Sequence, residues 1–84
     1  MGAETKLVLG AISDMLKEIG LTLEDIVKAD VHLADLSDFD AMDIAYRECF
    51  KPKCYPARTT TESPKLYGGS KVEVTVQARL RNTL

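Results

Sequence analysis

The sequence is poor in metal-binding and redox residues, with one histidine, two cysteines and no tryptophan in 84 residues. A structural zinc site normally takes four ligands drawn from Cys and His, so His32, Cys49 and Cys54 do not predict a metal site. Residues 1–5 lack the basic and apolar regions of a secretory signal. We therefore expect two reduced thiols in a cytoplasmic protein, because that compartment keeps most thiols from pairing.

Long apolar runs and a basic surface are also lacking. No apolar stretch approaches the roughly 20 residues that a membrane-spanning helix needs. Lys and Arg number 11 against 13 Asp and Glu, for a net charge of −2, and they are scattered, whereas nucleic-acid-binding proteins usually cluster basic residues on one face. The composition thus favours neither a membrane nor a nucleic acid as partner. A length of 84 residues, 45% of them hydrophobic, predicts one domain, 1–84, near the lower limit for a single core.

The spacing of apolar residues predicts two helices. Residues 4–19 carry apolar side chains at helical spacing, and Gly20 is the expected left-handed stop. Residues 38–50 form the second helix, which we expect Ser37 to cap, with Asp43 on the side away from its apolar face. The predicted apolar faces comprise Val8, Ile12, Met15, Leu16 and Ile19 in the first helix and Phe39, Met42, Tyr46, Cys49 and Phe50 in the second.

Alternating polarity predicts three strands, at residues 27–33, Ala57–Glu62 and residues 71–80. A turn capped by Thr22 and Asp25 precedes the first strand. A helix joins the first two strands, and such a crossover makes them parallel. Both helices then cover one face of a mixed sheet, which gives a two-layer α+β sandwich. The strand side chains expected under the helices include Val27, Ala29, Val31 and Leu33.

The opposite face of the sheet is expected to carry charged and hydroxyl groups from all three strands. Such a face is either exposed to solvent or a binding surface. Arg58 and Glu73 are the candidates for chemistry, because a guanidinium can hold a carboxylate with two parallel hydrogen bonds and a carboxylate can accept a proton from water. The alternatives are a structural ion pair for Arg58 and a cross-strand surface pair for Glu73. For His32 we expect a structural or exposed role.

Several segments, in register, resemble one protein family. They are residues 20–28 and 31–39, then Tyr46 and Phe50, then Pro56-Ala57-Arg58-Thr59-Thr60 and Lys71-Val72-Glu73-Val74. From about residue 5 to residue 79 the chain resembles the RidA (YjgF) family of enamine/imine deaminases, also known as L-PSP endoribonucleases. The resemblance implies a chorismate-mutase-like two-layer fold and a homotrimer with ligand clefts between subunits. It also implies that this chain lacks an N-terminal segment containing the opening strands and part of the pocket.

The resemblance assigns roles to four residues. Arg58 matches the arginine that grips the substrate carboxylate, and Glu73 matches the acidic residue that positions the attacking water. Asp43 and Thr60 fall where relatives often have asparagine and cysteine, respectively, and are expected to contact substrate. The implied activity is hydrolysis of 2-enamine or 2-imino acids to 2-keto acids and ammonia, which needs no metal or organic cofactor.

Two other functions stay open. A member with an incomplete pocket can serve as a small-ligand-binding or protein-interaction module that keeps Arg58. The family name also suggests an endoribonuclease or translation inhibitor, against which the acidic balance argues. In either case we expect the last strand, 71–80, to present an unpaired edge where the N-terminal strand is absent. Uncovered edges tend to pair with another chain, so the sequence predicts a homo-oligomer, with a trimer favoured.

Overall fold

The computed structural model describes residues 1–80, which form two helices and three strands joined by short connections that include three 3₁₀ turns. The elements are α1, Gly2–Glu18; β1, Ile26–Leu33; α2, Phe39–Glu48; β2, Ala57–Glu62; and β3, Val72–Ala78. Every predicted element is present, with ends that differ by no more than two residues. Residues 81–84, which the predicted domain includes, lie outside the described part of the chain.

The sheet is mixed and has the order β2-β1-β3. The central strand β1 is parallel to β2, as the α2 crossover requires, and antiparallel to β3. Both helices pack on one face of this sheet, which confirms the predicted two-layer α+β sandwich. Within residues 1–80 the other face is uncovered, and β3 is an edge strand as expected. Neither helix in this range is long and apolar enough to cross a membrane.

The helix α1 ends as predicted, in a Schellman motif. Gly20 adopts a left-handed φ of 78°, and the backbone N–H groups of Gly20 and Leu21 donate to the carbonyls of Lys17 and Leu16. Leu21 and Leu16 are both buried, which is the hydrophobic contact that usually accompanies this cap. The chain therefore turns sharply into the short segment that leads to β1.

The two other predicted caps have different outcomes. Thr22 and Asp25 form a reciprocal capping box, in which the Asp25 carboxylate accepts from the Thr22 N–H at 2.9 Å. Ser37 does not cap α2, so that prediction is wrong. Asp35 accepts from the Ser37 N–H at 2.8 Å instead, and it starts a 3₁₀ turn, Leu36–Asp38, that runs directly into the helix.

The buried stripe of α1 includes Ile12 and Leu16 as predicted, but it does not include Met15 and Ile19. Leu9, Ile12 and Leu16 are buried, whereas Met15 and Ile19 are 61% and 63% exposed. Both sets follow helical spacing, and contact with the sheet and α2 selects the one that includes Leu9. The remaining core side chains come mainly from β1 and α2: Ala29, Val31, Leu33, Met42, Ala45, Tyr46, Phe50 and Val72.

The start of β1 breaks the expected alternation. Ile26 is buried and Val27 is 49% exposed, so the prediction that Val27 faces the helices is wrong. The pairing of β1 with β3 shifts between Ile26 and Lys28. An extra residue at such an irregularity reverses the alternation of side chains on that strand, and alternation then holds from Ala29 onward.

The packing of α1 gives a matched test of the core. Leu9 is 1% exposed and Leu7, on the same helix, is 76% exposed. We expect Leu9→Ala to lower the free energy of unfolding by about 2–5 kcal/mol, because it leaves a cavity. Leu7→Ala, measured in the same urea titration, should change it by no more than about 0.5 kcal/mol. Equal losses for the two variants would contradict this packing.

Candidate functional site

The register of the sheet places Arg58 and Glu73 on opposite faces. Arg58 lies opposite Ala29, which is fully buried beneath the helices. Glu73 lies opposite His32, on the face that the helices leave open. The two side chains also belong to strands on either side of β1, about 10 Å apart. The prediction that Arg58 shares the polar face with Glu73 is therefore wrong, and one chain does not bring both to the same small molecule.

Arg58 is held in a half-buried pocket between β2 and α2. Its side chain is 18% exposed, and its guanidinium lies over the rings of Tyr46 and Phe39, at 4.7 Å and 5.5 Å from their centroids. Aromatic faces stabilise a cation placed this way. The Nη1 atom donates to Oδ1 of Asp43 at 2.6 Å. These contacts fix the orientation of the guanidinium, and most of its N–H groups have no acceptor among residues 1–80.

Asp43 lies at the centre of this arrangement. It was predicted to point away from the core, which is wrong: its side chain is 18% exposed and binds two arginines. Oδ1 accepts from Arg58, and Oδ2 accepts from Nε of Arg47 at 3.0 Å. The Asp43–Arg47 pair follows from helical spacing, since residues four apart are neighbours on a helix. That spacing is visible in the sequence, but the contact with β2 is not.

A cleft opens beside these charged groups. It has a volume of about 250 Å³ and is lined by Tyr46, Arg47, Tyr55, Pro56 and Arg58; we call it the arginine cleft. Arg47 lies over the ring of Tyr55, 5.8 Å from its centroid. Small-molecule sites typically combine apolar walls with a few well-placed polar groups, and this cleft has both. Sequence reasoning missed Arg47 and Tyr55 as lining residues.

The hydroxyl of Tyr46 is a further polar group at the cleft. Tyr46 is 2% exposed, and its hydroxyl has no hydrogen-bond partner within residues 1–80. An unpaired buried hydroxyl costs about 1–3 kcal/mol. Burial raises the pKa of this phenol, with Arg58 opposing the rise and Asp43 adding to it. At neutral pH the hydroxyl is therefore protonated.

Thr60 and Glu73 have contrasting surroundings. Thr60 lies opposite buried Val31, so it shares the helix-covered side with Arg58 and is half-buried, but it does not line the arginine cleft. Glu73 is exposed and has no hydrogen bond or ion pair within residues 1–80. Its neighbour His32 pairs with Thr61 at 2.7 Å, which agrees with the structural role expected for that histidine.

The two cysteines line a different cavity, of about 380 Å³, near the end of α2. Both are free thiols. The Cys49 thiol donates to the Ala45 carbonyl at 3.4 Å, and burial raises its pKa, with Lys6 opposing and Glu48 adding to the rise. A thiol with a raised pKa is a poor nucleophile at neutral pH. Residues 1–80 hold no cluster of three or more side chains suited to a metal ion.

Comparison with known proteins identifies the family. The sequence model of the family named Endoribonuclease L-PSP matches residues 1–80. The chain belongs to the RidA (YjgF), or L-PSP endoribonuclease, family. It is 37% identical over 71 residues to the 2-iminobutanoate/2-iminopropanoate deaminase of Capra hircus, a match that covers 84% of this chain and 51% of that protein. With protein mmf2, mitochondrial, of Schizosaccharomyces pombe it shares 35% identity over 74 residues, covering 84% and 58%.

Solved structures of this family share the fold. The crystal structure of the YjgF gene product of E. coli superposes with a TM-score of 0.88 at 29% identity, covering 95% of this chain and 65% of that one. The chain thus spans about half the length of the curated relatives it matches. The shared fold is therefore that of a RidA-family domain.

The unpaired hydroxyl gives a test of the cleft in the absence of ligand. We expect Tyr46→Phe to keep the free energy of unfolding or raise it by about 1 kcal/mol, because no protein hydrogen bond is lost. The raised phenol pKa means that the unfolded chain loses this proton first, so the free energy of unfolding should fall as pH rises above about 10. That fall should be smaller in Tyr46→Phe. A loss above about 2 kcal/mol at neutral pH would show that the hydroxyl is bonded in the folded protein.

Proposed function

We propose that this chain forms part of a hydrolase that converts 2-enamine or 2-imino acids to 2-keto acids and ammonia. Arg58 binds the substrate carboxylate in the arginine cleft. An enamine first tautomerises to the imine. A water molecule then adds to the C=N carbon, and Glu73 positions that water and accepts its proton. The proton passes to the nitrogen, the C–N bond breaks, and ammonia leaves as the carbonyl forms. The relatives named as 2-iminobutanoate/2-iminopropanoate deaminases support this reading.

The observation that carries the proposal is the state of Arg58. Its guanidinium is half-buried and oriented by two aromatic rings, and within residues 1–80 Nη1 is the one nitrogen that it commits, to Asp43. The edge formed by Nε and Nη2 is left for a carboxylate, which it can bind through two parallel hydrogen bonds. Tyr46, whose buried hydroxyl has no hydrogen-bond partner within residues 1–80, lines the same cleft. This combination suits a small acid with one further polar atom to hydrogen-bond.

An active site that contains both Arg58 and Glu73 must draw them from two different chains. Because they lie on opposite faces of one sheet, the Arg58 of one subunit must meet the Glu73 of another. A ring of subunits with identical head-to-tail contacts supplies such a pair at each interface. We therefore propose a cytoplasmic homotrimer in which the open sheet faces and the edge of β3 contact neighbouring copies.

The same separation supports a second candidate function. If the assembled protein does not bring Glu73 to the arginine cleft, Arg58 still binds a carboxylate and the chain is a ligand-binding module without catalysis. The endoribonuclease activity in the family name is less well supported. The net charge is −2, and the two arginines at the cleft already share Asp43, so neither forms part of a basic strip for phosphates.

The binding role of Arg58 is tested by a change that keeps its charge. We expect Arg58→Lys to weaken 2-oxobutanoate binding by about tenfold, because an ammonium does not form the two parallel hydrogen bonds of a guanidinium. Isothermal titration calorimetry measures this. Arg79→Lys, at an exposed arginine beyond β3, is the matched control and should bind normally. Equal affinities for Arg58→Lys and the unmodified protein would remove Arg58 from the site.

The catalytic role of Glu73 and the shared site are tested together. In an assay that generates 2-aminoacrylate and follows its loss, Glu73→Gln should lower kcat about 100-fold or more, with near-normal keto-acid binding. Glu18→Gln, at an exposed position on α1, is the control. Coexpressed Arg58→Lys and Glu73→Gln chains should recover about one quarter of the wild-type activity, since one interface in four then holds both native residues.

Three outcomes distinguish the candidate functions. Activity in the mixed oligomer supports hydrolysis at a site shared between subunits. Loss of activity in each variant without recovery on mixing would contradict a shared site. Keto-acid binding by an unmodified protein that never turns over imine would favour the ligand-binding module.

A further inference from the structure

Arg47 has no part in the proposed reaction, yet it is tied to the binding arginine. One carboxylate, that of Asp43, accepts from Arg58 through Oδ1 at 2.6 Å and from Arg47 through Oδ2 at 3.0 Å. The same two arginines line the arginine cleft. Arg58 and Asp43 are both 18% exposed, whereas Arg47 is 62% exposed. Arg58 and Asp43 are therefore partly shielded from solvent, whereas Arg47 lies at the mouth of the cleft.

Arg47, Asp43 and Arg58 form a charged triad, and the sum of their formal charges decides how strongly the cleft attracts an anionic ligand. Arg58 with Asp43 alone is neutral, and a neutral pair gives an incoming carboxylate little electrostatic attraction. Arg47 brings the sum of the three to one positive charge. It also occupies the second Asp43 oxygen, Oδ2, and the Nε and Nη2 edge of Arg58 has no acceptor within residues 1–80. A ligand with one carboxylate then brings the site to neutrality.

We propose that Arg47 is a charge-compensating positioning residue. By binding Asp43, it offsets the negative charge of that carboxylate and keeps Arg58 available to substrate. The cleft therefore selects 2-imino and 2-keto acids that have a single carboxylate and an uncharged side chain. This inference rests on the proposed function of the arginine cleft. A second carboxylate on the ligand would leave one uncompensated negative charge in a cleft of about 250 Å³. Such a charge is costly where the walls are apolar.

The test is a double-mutant cycle on binding, using calorimetry at low ionic strength with 2-oxobutanoate and 2-oxoglutarate as probes. The unmodified triad has a charge of plus one, Arg47→Ala zero, Asp43→Asn plus two, and the double variant plus one again. We expect Arg47→Ala to weaken 2-oxobutanoate binding about three- to tenfold, the effect of one charge about 6 Å away in a partly exposed site. The double variant should bind it within about twofold of the unmodified protein.

Two further results follow from charge rather than from folding. The loss in Arg47→Ala should shrink as salt is raised, because screening weakens the interaction, and Arg47→Lys should largely restore binding. Asp43→Asn should gain affinity for 2-oxoglutarate relative to 2-oxobutanoate. Arg79→Ala, which removes an exposed arginine beyond β3, should change neither ligand's affinity.

Several outcomes would overturn the inference. A double variant that binds 2-oxobutanoate as weakly as Arg47→Ala does would show that Arg47 contacts the ligand itself and does not act by compensating the charge of Asp43. No loss in Arg47→Ala, or an unmodified protein that prefers 2-oxoglutarate, would also contradict it. Failure of the proposed function looks different: none of the four proteins would then bind either keto acid, whatever their charge.

Discussion

The register in which β1 pairs with both of its neighbours decides which side chains can act together in this protein. Ala29 lies opposite Arg58 on one side and Val76 on the other, and it is fully buried. Arg58 is thereby drawn to the side covered by the helices. Because side chains alternate along a strand, the next positions point the other way, and Glu73 lies with His32 on the open face. A slip of one residue in β2 would put Ala57 or Thr59 in the place of Arg58 at the cleft.

From this constraint the chemistry of each face follows. On the covered side, α2 supplies Tyr46 and Asp43, which hold a guanidinium in place by ring contact and by a hydrogen bond of 2.6 Å. On the open side, Glu73 projects without a partner in the described residues. We propose that each chain carries two half-sites, and that assembly around an axis joins the arginine of one copy to the glutamate of the next. The edge position of β3 supplies one surface for that assembly.

Much of the fold could be predicted because periodicity and caps are local. Each of these features depends on residues that are close in sequence. They are the three strands, the two helices, the stop at Gly20 and the Thr22–Asp25 capping box. The errors came from tertiary contacts. Val27 is exposed because an irregular β1–β3 pairing reverses the alternation, and α1 offers two apolar stripes of which packing selects one. At the site, Arg58 and Asp43 were named from family resemblance, but their mutual contact depends on how β2 packs beside α2. The contact of Arg47 with Asp43 could have been predicted from the sequence, because residues four apart are neighbours on a helix.

The account is tested most directly by a crystal structure of the assembled protein with 2-oxobutanoate bound. It should show the ligand carboxylate on the Nε and Nη2 edge of Arg58, with Asp43 still bound to Nη1 and Arg47. The Glu73 carboxylate of a different copy should lie close enough to C2 of the ligand to hold a water between them. A ligand bound away from Arg58, or an assembly in which every Glu73 stays remote from every arginine cleft, would contradict the proposed shared site.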